Sequence, residues 1–387
     1  VMEWPTVKLG DVCKIEKEQF REGNLPYVGL EDIEGFTGRF LGGLDPRAVA
    51  SSTFKFSSSH VLYGRLRPYL NKVLVPNFEG HCSSEIFPLK PTSQLNRSYL
   101  YYWLSSDRIV SAINETCTGA RMPRANVNTI LTFEIPLPPL PEQKRLVAIL
   151  DEVFADIEQV RAKTEQNLKN ARELFESYLQ QVFSQRGEGW KETVLGALGK
   201  VSMCKRILKK QTAVSGDIPF YKIGTFGRTA NAFIGNDIYQ EYKEKYSFPK
   251  KGDILISAAG TIGRRVIYDG QPAYFQDSNI VWIDNDEKMI LNNYLYQFYG
   301  VCDWNPSKGA TISRLYNDDL RKIKISFPSI SEQKELVVRM VALSEKIKTT
   351  QINYQKKLEK LDELKKSILQ KAFSGELTQK NNQGAVA

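Results

Sequence analysis

The chain has 387 residues, a formal net charge of +9 and a hydrophobic content of 42%. That length suits about two to three domains with packed cores. No apolar run approaches the ~18 residues of a membrane span and no signal-peptide layout opens the chain, so a cytosolic protein is expected.

Residues 1–140 read as a mixed, strand-rich domain. Short apolar pieces such as Tyr27-Val28-Gly29-Leu30, His60-Val61-Leu62-Tyr63 and Lys72-Val73-Leu74-Val75 alternate with Gly, Pro, Asn and Asp turns. Asn96–Ser105 is a short helix candidate rich in aromatics, and Phe133-Glu134-Ile135 reads as a last strand.

The Pro-rich run Pro136–Pro141 then leads into Glu142-Gln143-Lys144 and a long helical pattern, residues 141–186. Apolar or small residues recur at Leu146, Leu150, Val153, Ile157, Val160, Thr164, Leu168, Ala171, Phe175, Tyr178 and Val182. Alternating steps of four and three form a heptad seam, with a stutter at the 160–164–168 steps. Such a helix is about 65 Å long at ~1.5 Å per residue and needs a partner along its length.

Residues 187–330 repeat the first domain loosely. Trp190 with Leu195-Gly196 echoes Trp4 with Leu9-Gly10, and Ile218-Pro219-Phe220 echoes Leu25-Pro26-Tyr27. Residues 331–375 open on Glu332-Gln333-Lys334 and form a second long helix, its seam running through Leu336, Met340, Leu343, Ile347, Thr350, Tyr354, Leu358, Leu361, Ile368 and Ala372; residues 376–387 are a tail. Ser331 is the expected cap of this helix, and Gly375 its stop. Glu142 and Glu332 lie 190 positions apart, and that offset holds without a gap from Gly119-Ala120 (Gly309-Ala310) to Phe183-Ser184 (Phe373-Ser374). The chain is an internal duplication, and each helix is the obvious coiled-coil partner of the other.

Candidate chemistry concentrates in loops. Gly260-Thr261-Ile262-Gly263-Arg264-Arg265 follows an apolar strand, and Gly64-Arg65-Leu66-Arg67-Pro68 occupies the comparable place in the first copy. A second loop pair is Gly119-Ala120-Arg121-Met122-Pro123-Arg124 with Gly309-Ala310-Thr311-Ile312-Ser313-Arg314. Arginine forks suit phosphate and the O6/N7 edge of guanine. A third pair is Cys82-Ser83-Ser84-Glu85 with Gln276-Asp277-Ser278-Asn279, whose carboxylates and amides suit base edges as well as turns. The candidate DNA contacts are therefore Arg65, Arg67, Ser84, Glu85, Arg121, Arg124, Thr261, Arg264, Arg265, Gln276, Asp277, Asn279 and Arg314. Residues 186–330 carry 21 basic and 15 acidic side chains, a modest bias toward a polyanion.

Catalytic signals are sparse. The five cysteines stand singly and favour reduced thiols. The two histidines, His60 and His81, lie in no metal-ligand spacing. There is no Gly-x4-Gly-Lys-Ser/Thr phosphate loop and no Asn/Asp/Ser-Pro-Pro-aromatic motif of amino-methyltransferases. No catalytic residue, metal or cofactor is assigned.

The set of motifs resembles the specificity subunits of type I restriction–modification systems. The resemblance rests on Ile135-Pro136-Leu137-Pro138-Pro139-Leu140-Pro141-Glu142-Gln143-Lys144, its echo Ile325–Lys334, the Gly-Ala-x-x-x-Arg loops, Gly260-Thr261-Ile262-Gly263-Arg264 and Ala372-Phe373-Ser374-Gly375-Glu376-Leu377. It implies an α+β fold in which two globular mixed α/β target-recognition domains are joined by two long antiparallel helices forming a coiled coil, a pseudo-twofold internal repeat. It also implies that double-stranded DNA is read as a split, asymmetric site. Two methyltransferase subunits, which use S-adenosylmethionine, and two restriction/translocase subunits would be partners, and this chain would hold neither S-adenosylmethionine nor ATP. The coiled-coil and partner interface would involve Glu142, Gln143, Lys144, Leu146, Leu150, Val153, Ile157 and Leu168 of the first helix. Glu332, Gln333, Lys334, Leu336, Leu343, Ile347, Leu358 and Leu361 would serve in the second. The rival readings are a coiled-coil scaffold whose end domains bind protein, and a stand-alone DNA-modifying enzyme.

Overall fold

The computed structural model describes residues 4–119, 121–184, 187–304 and 314–379. The chain divides into two compact units, residues 1–164 with 356–387 and residues 165–355. Each unit holds one globular head and a stretch of both long helices, Leu140–Ser184 and Ile330–Phe373.

The first head is built on two four-stranded sheets. One runs Cys13–Ile15, Ile86–Pro91, Val61–Gly64, Val73–Leu74 and is antiparallel throughout. The other runs Gln19–Phe20, Thr53–Phe56, Gly80–Ser83, Tyr27–Val28, with the last pair parallel. A two-residue turn, Ser84-Glu85, passes the chain from one sheet to the other. The apolar faces of the strands bury Val61, Tyr63, Val73 and Leu89 against the helix Arg97–Leu104, capped by the Asn96 side chain.

The second head repeats this plan. Val201–Ser202, Ile280–Ile283, Ile254–Ser257 and Arg265–Ile267 form its four-stranded sheet, and Phe233–Ile234, Ile218–Tyr221 and Tyr274–Phe275 a three-stranded one. A short antiparallel pair leads into or out of each head: Thr6–Lys8 with Glu134–Pro136, and Lys191–Val194 with Lys324–Phe327.

Within each unit the long helices run antiparallel. In the first, Glu158 meets Lys365 at 3.2 Å and Arg161 meets Asp362, so numbers fall along one helix as they rise along the other. In the second, Arg172, Phe175 and Glu176 line a shallow cleft with Ser344, Ile347, Lys348 and Gln351. The heptad seam is followed only in part, because each head claims some of it. Leu146, Leu150, Phe154 and Ile157 are buried in the first head's core together with Leu369 and Ala372. Val160, a seam position in the sequence, is 38% exposed, whereas Phe154, off that seam, is buried. Leu168, Val153, Leu336, Leu343 and Leu361 are half-buried, and Ile347 and Leu358 are buried.

The helix starts differ from expectation in one respect. The second helix begins at Ile330, so Ser331 lies inside its first turn. Ser329 is the cap: its Oγ accepts from the Glu332 amide at 3.4 Å and its own amide donates to the Glu332 carboxylate at 3.1 Å, a capping box. Gly375, with φ of +79°, follows the other end in the left-handed conformation.

Lys144, Glu332 and Lys334 are exposed and Glu142 is half-buried, but Gln143 and Gln333 are fully buried. Gln143 accepts from the Asn96 amide (2.8 Å) and donates to the carbonyls of Gln94 (2.8 Å) and Pro138 (2.9 Å). Gln333 accepts from the Leu291 amide and donates to Met289 and Pro328, each at 2.9 Å. These two glutamines thus tie each helix start to its own head rather than facing a partner.

Candidate nucleic-acid interface

Three loops meet at the edge of the first head, and backbone hydrogen bonds fix how. The Arg65 amide donates to the Glu85 carbonyl at 2.9 Å, and the Ala125 amide donates to the Arg65 carbonyl at 2.9 Å. Leu66 and Arg124 form an isolated bridge. The second head uses the same three bonds: Ala258 donates to Asn279 (2.7 Å), Leu315 donates to Ala258 (2.9 Å), and Ala259 bridges to Arg314. The register therefore equates Arg65 with Ala258, Glu85 with Asn279 and Arg124 with Arg314.

This register corrects the pairing of the arginine loops. The Gly64 amide donates to the Lys72 carbonyl at 2.9 Å, and the Ser257 amide to the Arg264 carbonyl at 2.8 Å. Arg264 thus stands where the first head has Lys72, not where it has Arg65 or Arg67. The two cations do the same job. Lys72 Nζ donates to the Leu30 and Ile33 carbonyls at 2.6 and 2.9 Å, and Arg264 Nη1 donates to the Phe226 carbonyl at 3.0 Å. Each straps a neighbouring loop to its sheet. Losing a charged hydrogen bond of this kind costs about 1.5–3 kcal/mol, so Arg264→Ala is expected to lower the second head's stability by that amount in denaturant unfolding. No change in the midpoint would contradict the strap.

In the first head the loops assemble a charged cluster. Glu85 accepts from Arg65 Nε at 2.9 Å and from Arg124 Nη2 and Nε at 2.9 and 3.0 Å. Burial alone would raise the Glu85 carboxyl, but hydrogen bonds from Arg124 and Arg65 and their charges hold it below its ordinary range. Ser84 is exposed beside it. Arg67 is exposed in the left-handed conformation, φ +51°, with its amide bonded to the Pro123 carbonyl, and Arg121 is exposed on the same loop as Pro123. The cluster brings together Arg65, Arg67, Ser84, Glu85, Arg121 and Arg124.

The second head is unlike it. Arg265 lies over the Tyr296 ring at 4.5 Å, and its buried Nε has no hydrogen-bond partner among the described residues. Burial lowers its guanidinium, with Tyr296 opposing. Gln276 is occupied as well, its side-chain oxygen accepting from the Ile223 amide at 2.8 Å. Asp277 and Asn279 are joined by a backbone turn at 2.6 Å, and Thr261, exposed, gives its carbonyl to Ser257 Oγ. Arg314 Nη2 donates to the Ser278 carbonyl at 3.1 Å. Ala120 and Gly309–Ser313, the rest of the Gly-Ala loops, lie outside the described residues. Sequence reading missed Lys72 as a loop strap, and it named Gln143 through the helix-start repeat but as a partner contact rather than an anchor to its own head.

Two heads of one plan, each showing polar loops at its edge and each rooted on a long antiparallel helix pair, define a duplicated recognition protein. The model of the type I restriction modification DNA specificity domain matches residues 2–169 and again 187–360. The type I restriction enzyme specificity subunit S.HindORF215P of Haemophilus influenzae is 41% identical over 319 residues, 81% of this chain and 79% of that protein. The EcoBI specificity subunit of Escherichia coli is 24% identical, across 97% of this chain and 80% of its own length. The chain belongs to the type I restriction enzyme specificity subunits and carries two target-recognition domains. The fold agrees. A chain solved in work on assembly and conformational transition of the type I restriction–modification system superposes with a TM-score of 0.82 at 22% identity, over 97% of this chain and 99% of that one. The HsdS subunit of Thermoanaerobacter tengcongensis gives 0.62 at 21% identity, over 97% and 98%.

Proposed function

We propose that the two heads read the two halves of a split, asymmetric site in double-stranded DNA, and that the long helices present equivalent surfaces to two methyltransferase subunits and two restriction/translocase subunits. In this reading the chain does no chemistry itself and holds neither S-adenosylmethionine nor ATP. The domains divide as residues 1–140 and 187–330 for recognition, 141–186 and 331–375 for the helices, and 376–387 as a tail. The observation that carries the proposal is the shared loop register: identical backbone bonds hold side chains of different chemistry at the edge of each head. Arg65 and Glu85 in one become Ala258 and Asn279 in the other, while Arg124 and Arg314 match. A duplicated frame with unlike reading groups suits two unlike half-sites. Phosphate contacts would position the heads and base-edge contacts specify the sequence.

The test is sequencing of methylated DNA from a host carrying the chain with its methyltransferase. A bipartite motif is expected. Inserting seven residues into each long helix adds about 10 Å, close to 3 base pairs at ~3.4 Å each, and should widen the gap while leaving both halves intact. An unchanged gap would refute the helices' role as a ruler.

A further inference from the structure

We propose that Arg65 reads a guanine through its terminal nitrogens and that Glu85 is its positioning residue, an inference that rests on the heads being DNA readers. The side chains of the cluster are not interchangeable. Arg124 is consumed by its neighbours: Nε and Nη2 both face the Glu85 carboxylate, and Nη1 points at the Met122 carbonyl at 3.4 Å. Arg65 spends only Nε on Glu85, at 2.9 Å, and its guanidinium lies over the Phe87 ring at 5.2 Å. Neither Nη1 nor Nη2 of Arg65 has a partner among the described residues, and the side chain is 32% exposed. The carboxylate on one edge and the ring on one face fix the plane of the guanidinium. Its two outer N–H groups are left as a fork.

A phosphate contact needs no fixed plane, since phosphate accepts from many directions. A base edge does need one. Guanine offers O6 and N7 as paired acceptors in the major groove, whereas adenine sets a donor beside N7 and cytosine offers a donor alone. A fork held in place discriminates among these, and a carboxylate on a face meeting phosphates is explained by the arginine it orients. Arg67 and Arg121, both exposed on adjoining loops, are placed to contact the backbone. The second head has Ala258 and Asn279 at the positions of Arg65 and Glu85, so this mode of reading is confined to the first.

The experiment uses the chain assembled with its methyltransferase. Once methylation sequencing gives the motif, each guanine in it is replaced singly by 7-deazaguanine and binding is measured. In the half-site read by the first head, one guanine is expected to show a roughly 10- to 100-fold loss with the wild-type chain, alongside whatever sensitivities the other half shows. Arg65→Ala and Glu85→Gln should abolish that sensitivity and leave those in the other half intact. Retention of the other half reports that the chain is folded. Should Arg65→Ala abolish binding altogether, Arg65→Met, which keeps the apolar stem and removes every donor, decides: lost guanine sensitivity supports the reading and retained sensitivity overturns it. A motif without guanine in either half overturns it, as does a uniform loss of affinity in Arg65→Ala with every 7-deazaguanine effect preserved. A wild-type complex that binds all duplexes alike would instead defeat the DNA-reading function, a separate outcome.

Discussion

Gln143→Ala is expected to destabilise the first unit by about 2–4 kcal/mol, and Gln333→Ala the second by a similar amount. Both side chains have no exposed surface. Truncating Gln143 strands the Asn96 amide and the carbonyls of Gln94 and Pro138, all of which it bonds at 2.8–2.9 Å. The loss exceeds that of an ordinary hydrogen bond because the partners stay buried without water. Glutamate is the sharper probe. Its shape is nearly the same, yet a carboxylate in place of the amide would face two carbonyl oxygens, so Gln143→Glu should cost at least as much as alanine. Denaturant unfolding of the intact chain measures both. A shift below ~0.5 kcal/mol, the usual range for surface substitutions, would mean that the helix start is held by packing alone.

The sequence announced these glutamines without explaining them. The Glu-Gln-Lys repeat was legible because the duplication keeps the same residues at the same offset, and long helices are legible wherever apolar spacing persists. What the sequence concealed was the neighbour of each position. Glu and Lys of the motif lie at the surface, and only the middle residue, whose side chain both donates and accepts, points inward. Val160 reads as seam and is exposed, while Phe154 breaks the seam and is buried, because Tyr102 of the head packs on it edge-on and Lys365 of the other helix lies over its ring. The loop equivalences failed for another reason. Aligning Arg65-Leu66-Arg67 with Arg264-Arg265 matches residue types, but strand register is set by backbone pairing. That pairing aligns Lys72 with Arg264. Register cannot be inferred across loops that differ in length. Arg264 consequently reads as a nucleic-acid contact in sequence and as a loop strap in structure, whereas side-chain hydrogen bonds join Arg65, Glu85 and Arg124 from three separate segments.

Ala372→Glu is expected to unfold the first head, although residue 372 lies near the end of the second helix. Ala372 is fully buried and Leu369 5% exposed, both within the core that contains Leu9, Val61 and Tyr99. The adjacent Phe373 ring stands edge-on to Tyr99 at 5.2 Å, and Tyr99 in turn donates to the Pro136 carbonyl just ahead of the first helix. The same contacts recur in the other unit, where Phe183 stands edge-on to Tyr294 at 5.0 Å and Tyr294 donates to the Ser326 carbonyl. A head is therefore completed by the far end of a helix that another part of the chain begins. An unpaired carboxylate in that core costs about 3–5 kcal/mol or protonates to avoid it, and overpacking around a fully buried alanine adds to the penalty. Lys371→Glu, on the exposed side of the same turn, is the matched control and should change stability by no more than ~0.5 kcal/mol. Hydrogen exchange distinguishes the mechanisms. If the helix end closes the head, Ala372→Glu removes protection from the strands Val61–Gly64 and Ile86–Pro91 while Ile254–Ser257 stays protected. Loss confined to the last turn of the second helix would show that the first head holds its core without it.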